Sequence, residues 1–217
     1  MNLQVFDKLK LIAKERQTKD DPSHDFEHIK RVLNLAIKIG ESVGADLEVV
    51  IPAALFHDTV VYRKDSPQSK NETDESADVA TQVLEGISDY PKQKIKDVVT
   101  CIKQCSFSKA IIPELLESKV LQDADLLEST GAISIIRTFS SGGQMNRGFY
   151  NPDSPLDEAT ELNSASGVAL FYKRLLIAEK RMHTKFAKKI AKRRTKFLHT
   201  FLKELKLELT EADIINS

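Results

Sequence analysis

Val49-Val50-Ile51-Pro52-Ala53-Ala54-Leu55-Phe56 is followed at once by His57-Asp58, and this junction constrains the fold more than any other stretch. Apolar side chains occupy every face of the run, so a helix here must be buried on all sides and surrounded by other elements. His57 and Asp58 then stand at the end of that helix, where an imidazole and a carboxylate are costly unless something compensates them. A divalent metal is one compensation. A helix cap leading into a solvated loop is the other, and the His-Asp pair taken alone leaves that simpler reading ahead.

The segments around this run also read as helices. Leu3 to Arg16 carries Leu3, Phe6, Leu9 and Ile12 at a regular spacing, and Asp20-Asp21-Pro22-Ser23 breaks the pattern. Ser23 or Asp25 can cap a second helix to about Val43, with Ile29, Val32, Leu33, Ala36 and Ile39 as its buried stripe. Gly44 ends it, Asp46 can start the buried helix at Leu47, and Pro52 falls in that helix's first turns or kinks it. Val61 to Asn71 reads as a polar loop, after which Thr73 or Asn71 caps a helix that stops near Gly86. Pro91 precedes another helix with Ile95, Val98, Val99 and Ile102 inside. Leu115 to about Phe139 reads as one long helical stretch closed by Ser140-Ser141-Gly142-Gly143. A loop from Gly142 to Pro155 follows, then helices over Asn163 to Ala178 and Arg181 to about Leu207. Strand-like alternation is sparse, and neither Asn-Gly nor Asp-Gly occurs. The expectation is an all-α, single-domain helical bundle over residues 1–217, its C-terminal helices, about 163–207, packed on the core that carries His57-Asp58.

Composition narrows the partners. Lys plus Arg and Asp plus Glu are 32 each, so no global charge points to nucleic acid or a membrane surface. The longest apolar runs fall far short of a bilayer span. The N-terminus, Met1-Asn2-Leu3-Gln4, lacks the basic and apolar regions of a secretory signal. Two cysteines, Cys101 and Cys105, are too few for a disulfide framework, and a reducing cytoplasm is the expected compartment.

Two further acidic and imidazole-bearing stretches flank the central junction. Upstream, Ser23-His24-Asp25-Phe26-Glu27-His28-Ile29-Lys30-Arg31-Val32 places His28 and Arg31 on one helix face. Downstream, Gln122-Asp123-Ala124-Asp125-Leu126-Leu127-Glu128 puts three carboxylates in an apolar helix. Asp123 and Asp125 lie about 200° apart around a helix, so only one of them can face a given ion without distortion. Two imidazoles and two carboxylates from three helices make a credible site for one divalent ion. An octahedral ion so held keeps positions open for water and a phosphate oxygen.

The order His, then His-Asp, then Asp resembles the HD superfamily of metal-dependent phosphohydrolases. Pro-Ser-His-Asp-Phe-Glu-His-Ile-Lys-Arg-Val, Ala-Leu-Phe-His-Asp, Asp-Ser-Pro-Gln-Ser-Lys and Gln-Asp-Ala-Asp-Leu-Leu-Glu are similar to the small bacterial HD hydrolases. So are Thr-Gly-Ala-Ile-Ser-Ile-Ile-Arg-Thr-Phe and Phe-Tyr-Lys-Arg-Leu-Leu, and the likeness runs from about Phe6 to Phe201. The resemblance implies an HD-type bundle with His28, His57, Asp58 and Asp125 as metal ligands, Asp125 rather than Asp123 because of its Ala-Asp-x-Leu context. Asp123 would then orient a neighbouring group. Leu126, where relatives often carry Arg, and Arg63, where Pro is common, bear on substrate range.

Other residues have two readings each. His24 either lines the pocket mouth and touches phosphate or stabilises the turn before Asp25; its place in the motif favours the pocket. Arg31 is a phosphate clamp or pairs with a buried acid. Lys64 and Lys70 follow the ligands and either neutralise phosphate or are merely solvated, with Lys64 the nearer. The expectation is that Asp58, His24 and Lys64 serve catalysis and that Arg31, Lys64, Lys70 and His24 hold substrate. Cys101 and Cys105 could share a zinc, but with no matching ligand nearby they read as small core thiols. Lys185, Lys188, Lys189, Lys192, Arg193, Arg194 and Lys196 could suit nucleic acid, yet Met182, Phe186, Ile190, Phe197, Phe201 and Leu205 form an apolar stripe beneath them. A solvated helix face is the stronger reading.

The expected function is a cytoplasmic phosphohydrolase with one divalent ion, Mn or Mg first, then Fe, Co, Ni or Zn. It would act on a nucleotide or similar phosphorylated small molecule through water acidified by the metal. The resemblance implies a nucleoside triphosphate pyrophosphohydrolase; nucleotidase and phosphodiesterase chemistry stay open, as does a homodimer. The alternative is a nucleotide-sensing HD protein that keeps the metal with little turnover.

Overall fold

The computed structural model describes residues 2–17, 25–62, 66–106, 109 and 111–210. Among the described residues there are helices and turns but no strand, as the periodicity requires. The chain divides into two compact units between Leu126 and Leu127.

The first unit starts with α1, Leu3–Arg16, capped by Asn2, whose side chain accepts from the Val5 N–H at 2.9 Å. Its buried stripe is Val5, Leu9 and Ala13, while Leu3 is 73% exposed. This corrects the expected stripe, because a strict three-residue spacing walks around a helix whereas a four-residue spacing stays on one face. Helix α2, Phe26–Val43, is capped by Asp25 and buries the expected Ile29, Val32, Leu33, Ala36 and Ile39 together with His28. Gly44 ends it at φ 71, a left-handed conformation that glycine adopts without strain. A side chain at Gly40 would meet Leu47 at 2.9 Å, so its absence lets α2 lie close against the next helix.

That next helix, α3, Leu47–Phe56, starts at the Asp46 cap and buries every residue from Val49 to Phe56. Pro52 lies inside it and has no N–H for the Glu48 carbonyl one turn earlier. The Tyr90 hydroxyl donates to that carbonyl instead, at 2.8 Å.

The expected polar loop is partly folded: Ser66 caps a single 3-10 turn, Pro67–Asn71, with proline at the position where its fixed φ favours a helical start. Helix α4, Glu72–Glu85, follows with no side-chain cap from Asn71, and the Thr73 hydroxyl instead accepts from Lys109 at 2.6 Å. Helix α5, Ile95–Gln104, buries Val98, Cys101 and Ile102, with a turn at Lys92–Lys94 before it. Helix α6, Leu116–Leu127, carries Asp123 and Asp125.

The long helical stretch expected from Leu115 is broken. Thr130 is extended and Gly131 has φ 72, so a second helix, α7, Gly131–Gln144, starts afresh. The Leu127 carbonyl accepts from the Thr130 hydroxyl at 2.5 Å and from Arg194 at 2.8 Å, which stabilises the stop. Gly142-Gly143 does not close α7. The helix runs on to Gln144, because the N–H groups of Met145 and Arg147 return to the Gly142 carbonyl.

The single helix expected over Asn163 to Ala178 is also divided. Helix α8, Glu158–Asn163, precedes α9, Gly167–Leu170, which continues into a π turn at Phe171–Leu175 and a 3-10 turn at Ala178–Arg181. The fully buried Glu161 causes the break: its carboxylate accepts from Ser164 at 3.0 Å, from Ser166, and from the Asn151 N–H at 2.8 Å. Helix α10, Lys185–Leu209, begins at the Thr184 cap rather than at Arg181. It buries Ala187, Ala191, Thr195, Leu198 and Leu202, so the expected stripe is rotated, with Phe186 39% and Phe197 47% exposed. Small alanines allow closer approach than the phenyl rings would. The core of this unit is Leu156, Val168, Phe171, Leu175, Leu198 and Leu202.

Candidate metal centre

The site is built at the ends of local motifs. The Asp25 side chain accepts from the His28 N–H at 2.9 Å, which fixes the first turn of α2 and the position from which the fully buried His28 projects. His57 takes the C-terminal cap of α3, and its Nδ1 sits 2.9 Å from the Ala54 carbonyl. A carbonyl can only accept, so Nδ1 carries the proton and Nε2 is left to face inward. That Nε2 is buried and has no hydrogen-bond partner. Helix α6 supplies Asp125 from the other side.

Four side chains converge. His28 Nε2 lies 3.4 Å from Asp58 Oδ2 and 3.6 Å from Asp125 Oδ1. His57 Nε2 lies 3.6 and 3.8 Å from the same two oxygens. The two imidazole centroids are 5.6 Å apart, with rings inclined at 56°. Donor atoms of His28, His57 and Asp125 all fall within 4.8 Å of one another. Adjacent ligands of an ion bound at about 2.1 Å lie about 3.0 Å apart in octahedral and about 3.4 Å apart in tetrahedral geometry. The observed separations, 3.4 to 3.8 Å, equal or slightly exceed the tetrahedral value and are too long for good hydrogen bonds. The residues therefore fit a divalent cation.

The electrostatics agree. Burial alone would lower the His57 pKa, but the Asp58 carboxylate, with Asp125 behind it, raises it to about 9. Burial opposes ionisation of Asp125, yet the facing His57 holds its carboxyl below the usual range. Positive charge is thus favoured between the two carboxylates, whether a proton or a metal carries it. Both carboxylates reach solvent, with side-chain exposures of 24% and 26%, while both imidazoles are sealed. An ion here would be gripped from the protein side and approachable from the other.

The structure brings together His28, His57, Asp58 and Asp125. Asp123, two residues earlier in α6, is fully buried and outside this cluster. Arg31 is partly buried one turn beyond His28, and Lys70 is exposed on the 3-10 turn. His24, Arg63 and Lys64 lie outside the described residues. Both thiols are buried in the core, where burial pushes Cys101 up to about 12 and Cys105 well above its ordinary value, and neither belongs to the cluster of His28, His57 and Asp125. Cys101 Sγ also accepts from the Ser118 hydroxyl at 3.4 Å.

Residues that no motif pointed to hold the turn after Asp58. Gln17 Nε2 donates to the Asp58 carbonyl at 3.1 Å. The Val60 N–H reaches the Ser76 hydroxyl at 3.1 Å and the Tyr62 N–H reaches Glu72 at 2.7 Å. Tyr62 Oη also donates to Glu75 at 2.7 Å.

Residues 25–130 match the family model of the HD domain. The Bacillus subtilis protein YpgQ is 30% identical over 201 residues, 90% of this chain and 89% of YpgQ. The chain belongs to the HD-domain family. All four clustered residues of this HD-domain protein fall within the matched span. The crystal structure of YpgQ in complex with ADP superposes with a TM-score of 0.72 at 30% identity, over 95% of each chain. An HD-superfamily hydrolase from Bacillus thuringiensis superposes with a TM-score of 0.73 at 28% identity, over 95% of this chain and 97% of the other. Among its described residues, the HD-domain protein has no helix long and apolar enough to cross a membrane.

Proposed function

We propose that this chain is a cytoplasmic metal-dependent phosphohydrolase acting on a nucleotide, with His28, His57, Asp58 and Asp125 holding one divalent ion. The observation that carries this reading is the buried, partnerless Nε2 of His57 facing two carboxylates. Such an atom costs free energy unless a cation completes its surroundings. YpgQ, similar along nearly its whole length, has been crystallised with ADP, which supports a nucleotide as the ligand class.

When bound, a divalent ion supplies Lewis acidity, acidifies water and neutralises phosphate charge. The chain's own residues do the rest. Asp58 and Asp125 concentrate negative charge where the cation sits, and the Ala54 carbonyl keeps the His57 proton on Nδ1. Mixed imidazole and carboxylate donors suit Mn or Mg first, and also Fe, Co, Ni or Zn. His24, Lys64, Arg31 and Lys70 are proposed to hold the phosphates, and His24, Lys64 and Asp58 to serve the chemistry. The finer reading is release of pyrophosphate from a nucleoside triphosphate, leaving the monophosphate.

The test is a screen of nucleoside mono-, di- and triphosphates and cyclic nucleotides with Mn, Mg, Co and Ni, with His57→Ala as control. Turnover that needs the metal and vanishes in His57→Ala is expected. Tight nucleotide binding with no product from any combination would instead make the chain a sensor.

A further inference from the structure

The structure assigns a positioning role to Gln17, a residue ahead of the span that matches the HD domain. This inference rests on the metal-site reading and adds a residue to it. Helix α1 ends at Arg16, and Gln17 leaves it in an extended conformation, φ −69 and ψ 136, with only 9% of its surface exposed. Its amide nitrogen donates to the carbonyl of Asp58, 41 residues further on.

The anchor matters because of where Asp58 sits. The regular part of α3 stops at Phe56, and the turn beyond it is closed by Thr59, whose N–H and hydroxyl reach the Phe56 carbonyl at 3.3 and 3.0 Å. Asp58 Oδ2 is the oxygen nearest to His28 Nε2, at 3.4 Å. A carboxylate oxygen lies roughly 3 Å from its Cα, so a 20° rotation of the residue would move it by about 1 Å. Working sites tolerate displacements of about 0.5 Å and 10–20°. The turn is already held on its far side by α4, through Ser76 to Val60 and Glu72 to Tyr62. Gln17 holds the Asp58 peptide itself, from α1.

The residue type fits the task. A glutamine is long enough to reach the carbonyl and donates without bringing charge. A lysine or arginine would put a positive charge beside the ion and weaken its binding. Gln17 thus acts on the metal through the backbone of Asp58 and needs no contact with substrate.

The test compares Mn²⁺ affinity, by isothermal titration calorimetry, with the melting temperature of the metal-free protein. Gln17→Met keeps the length and removes the donor; Gln17→Asn keeps the amide but is too short, and serves if the first variant folds poorly. His57→Ala is measured alongside. The expected result is an Mn²⁺ dissociation constant about 10 to 100-fold higher, with metal-free melting shifted by no more than about 4 °C, the scale of one lost hydrogen bond. A dissociation constant within twofold of wild type, while His57→Ala loses the metal, overturns the role of Gln17 and leaves the metal site standing. Undiminished Mn²⁺ binding by His57→Ala removes the metal site, and the role of Gln17 with it.

Discussion

Tyr90→Phe tests how a helix with a proline in its middle stays intact at the point that matters for the site. In an unbroken α3 the N–H of residue 52 would close on the Glu48 carbonyl; Pro52 has none, and the Tyr90 hydroxyl takes its place at 2.8 Å. Tyr90 is 2% exposed, and burial pushes its hydroxyl above the ordinary tyrosine range, so it stays a neutral donor at any practical pH. Removing the oxygen leaves the ring packing in place and deprives a partly buried acceptor of its partner, which costs about 1–2 kcal/mol. For a chain of this length that corresponds to a melting shift of about 2–8 °C. The decisive measurement is a double-mutant cycle by urea denaturation. Pro52→Ala restores an N–H that can close on Glu48, so in that background Tyr90→Phe should cost about 1 kcal/mol less. Equal costs in both backgrounds would refute the claim that the hydroxyl stands in for the missing backbone donor.

Other consequences can be checked separately. Asp125→Asn should abolish Mn²⁺ binding, whereas Asp123→Asn should weaken it by about 10 to 100-fold; a metal titration ranking them the other way would reassign the fourth ligand. Cys101→Ser/Cys105→Ser should keep the metal, and loss of metal from the folded double variant would make the thiols ligands. The Lys94 ammonium, 2.7 Å from the Glu48 carboxylate, holds the Glu48 pKa down at about 2. A depressed carboxylate stabilises the fold fully above its ordinary pKa of 4.5 and loses that contribution as pH falls toward 2. The difference in urea midpoint between wild type and Lys94→Met should therefore shrink from pH 6 to pH 3, and a constant difference would refute this.

What could be read from residues alone was what their immediate neighbours decide. Asp25, Asp46 and Gly44 cap and stop helices through groups within one turn, and each does what its type suggests. His57-Asp58 was legible because polar groups end an apolar run, and His28 because it shares the buried face of α2. Helical periodicity does not separate Asp125 from Asp123; the Ala-Asp-x-Leu context favours Asp125, whose Oδ1 lies 3.6 and 3.8 Å from the two imidazoles. The breaks in unit two had distant causes: Glu161 collects donors from Asn151, Ser164 and Ser166, and Arg194 reaches back to Leu127. Gln17 left no trace in periodicity or motif, since its one decisive bond spans 41 residues.

The exposed face of α10 has a consequence for the environment in which the chain is handled. Lys185, Lys188, Lys189, Lys192, Arg193 and Lys196 stand on it three or four residues apart, and no carboxylate occurs in the helix before Glu204. Each like-charged neighbour destabilises the helix by about 0.2–0.5 kcal/mol. Dissolved ions soften that repulsion only in part, because neighbouring cations are closer together than the screening length of about 10 Å at 0.1 M salt. Amide protons of α10 should then exchange more slowly as salt is added, while those of the buried, uncharged stretch of α3 stay indifferent. Helix α10 is thus expected to respond to ionic strength, and the helix leading to the candidate metal ligands is not.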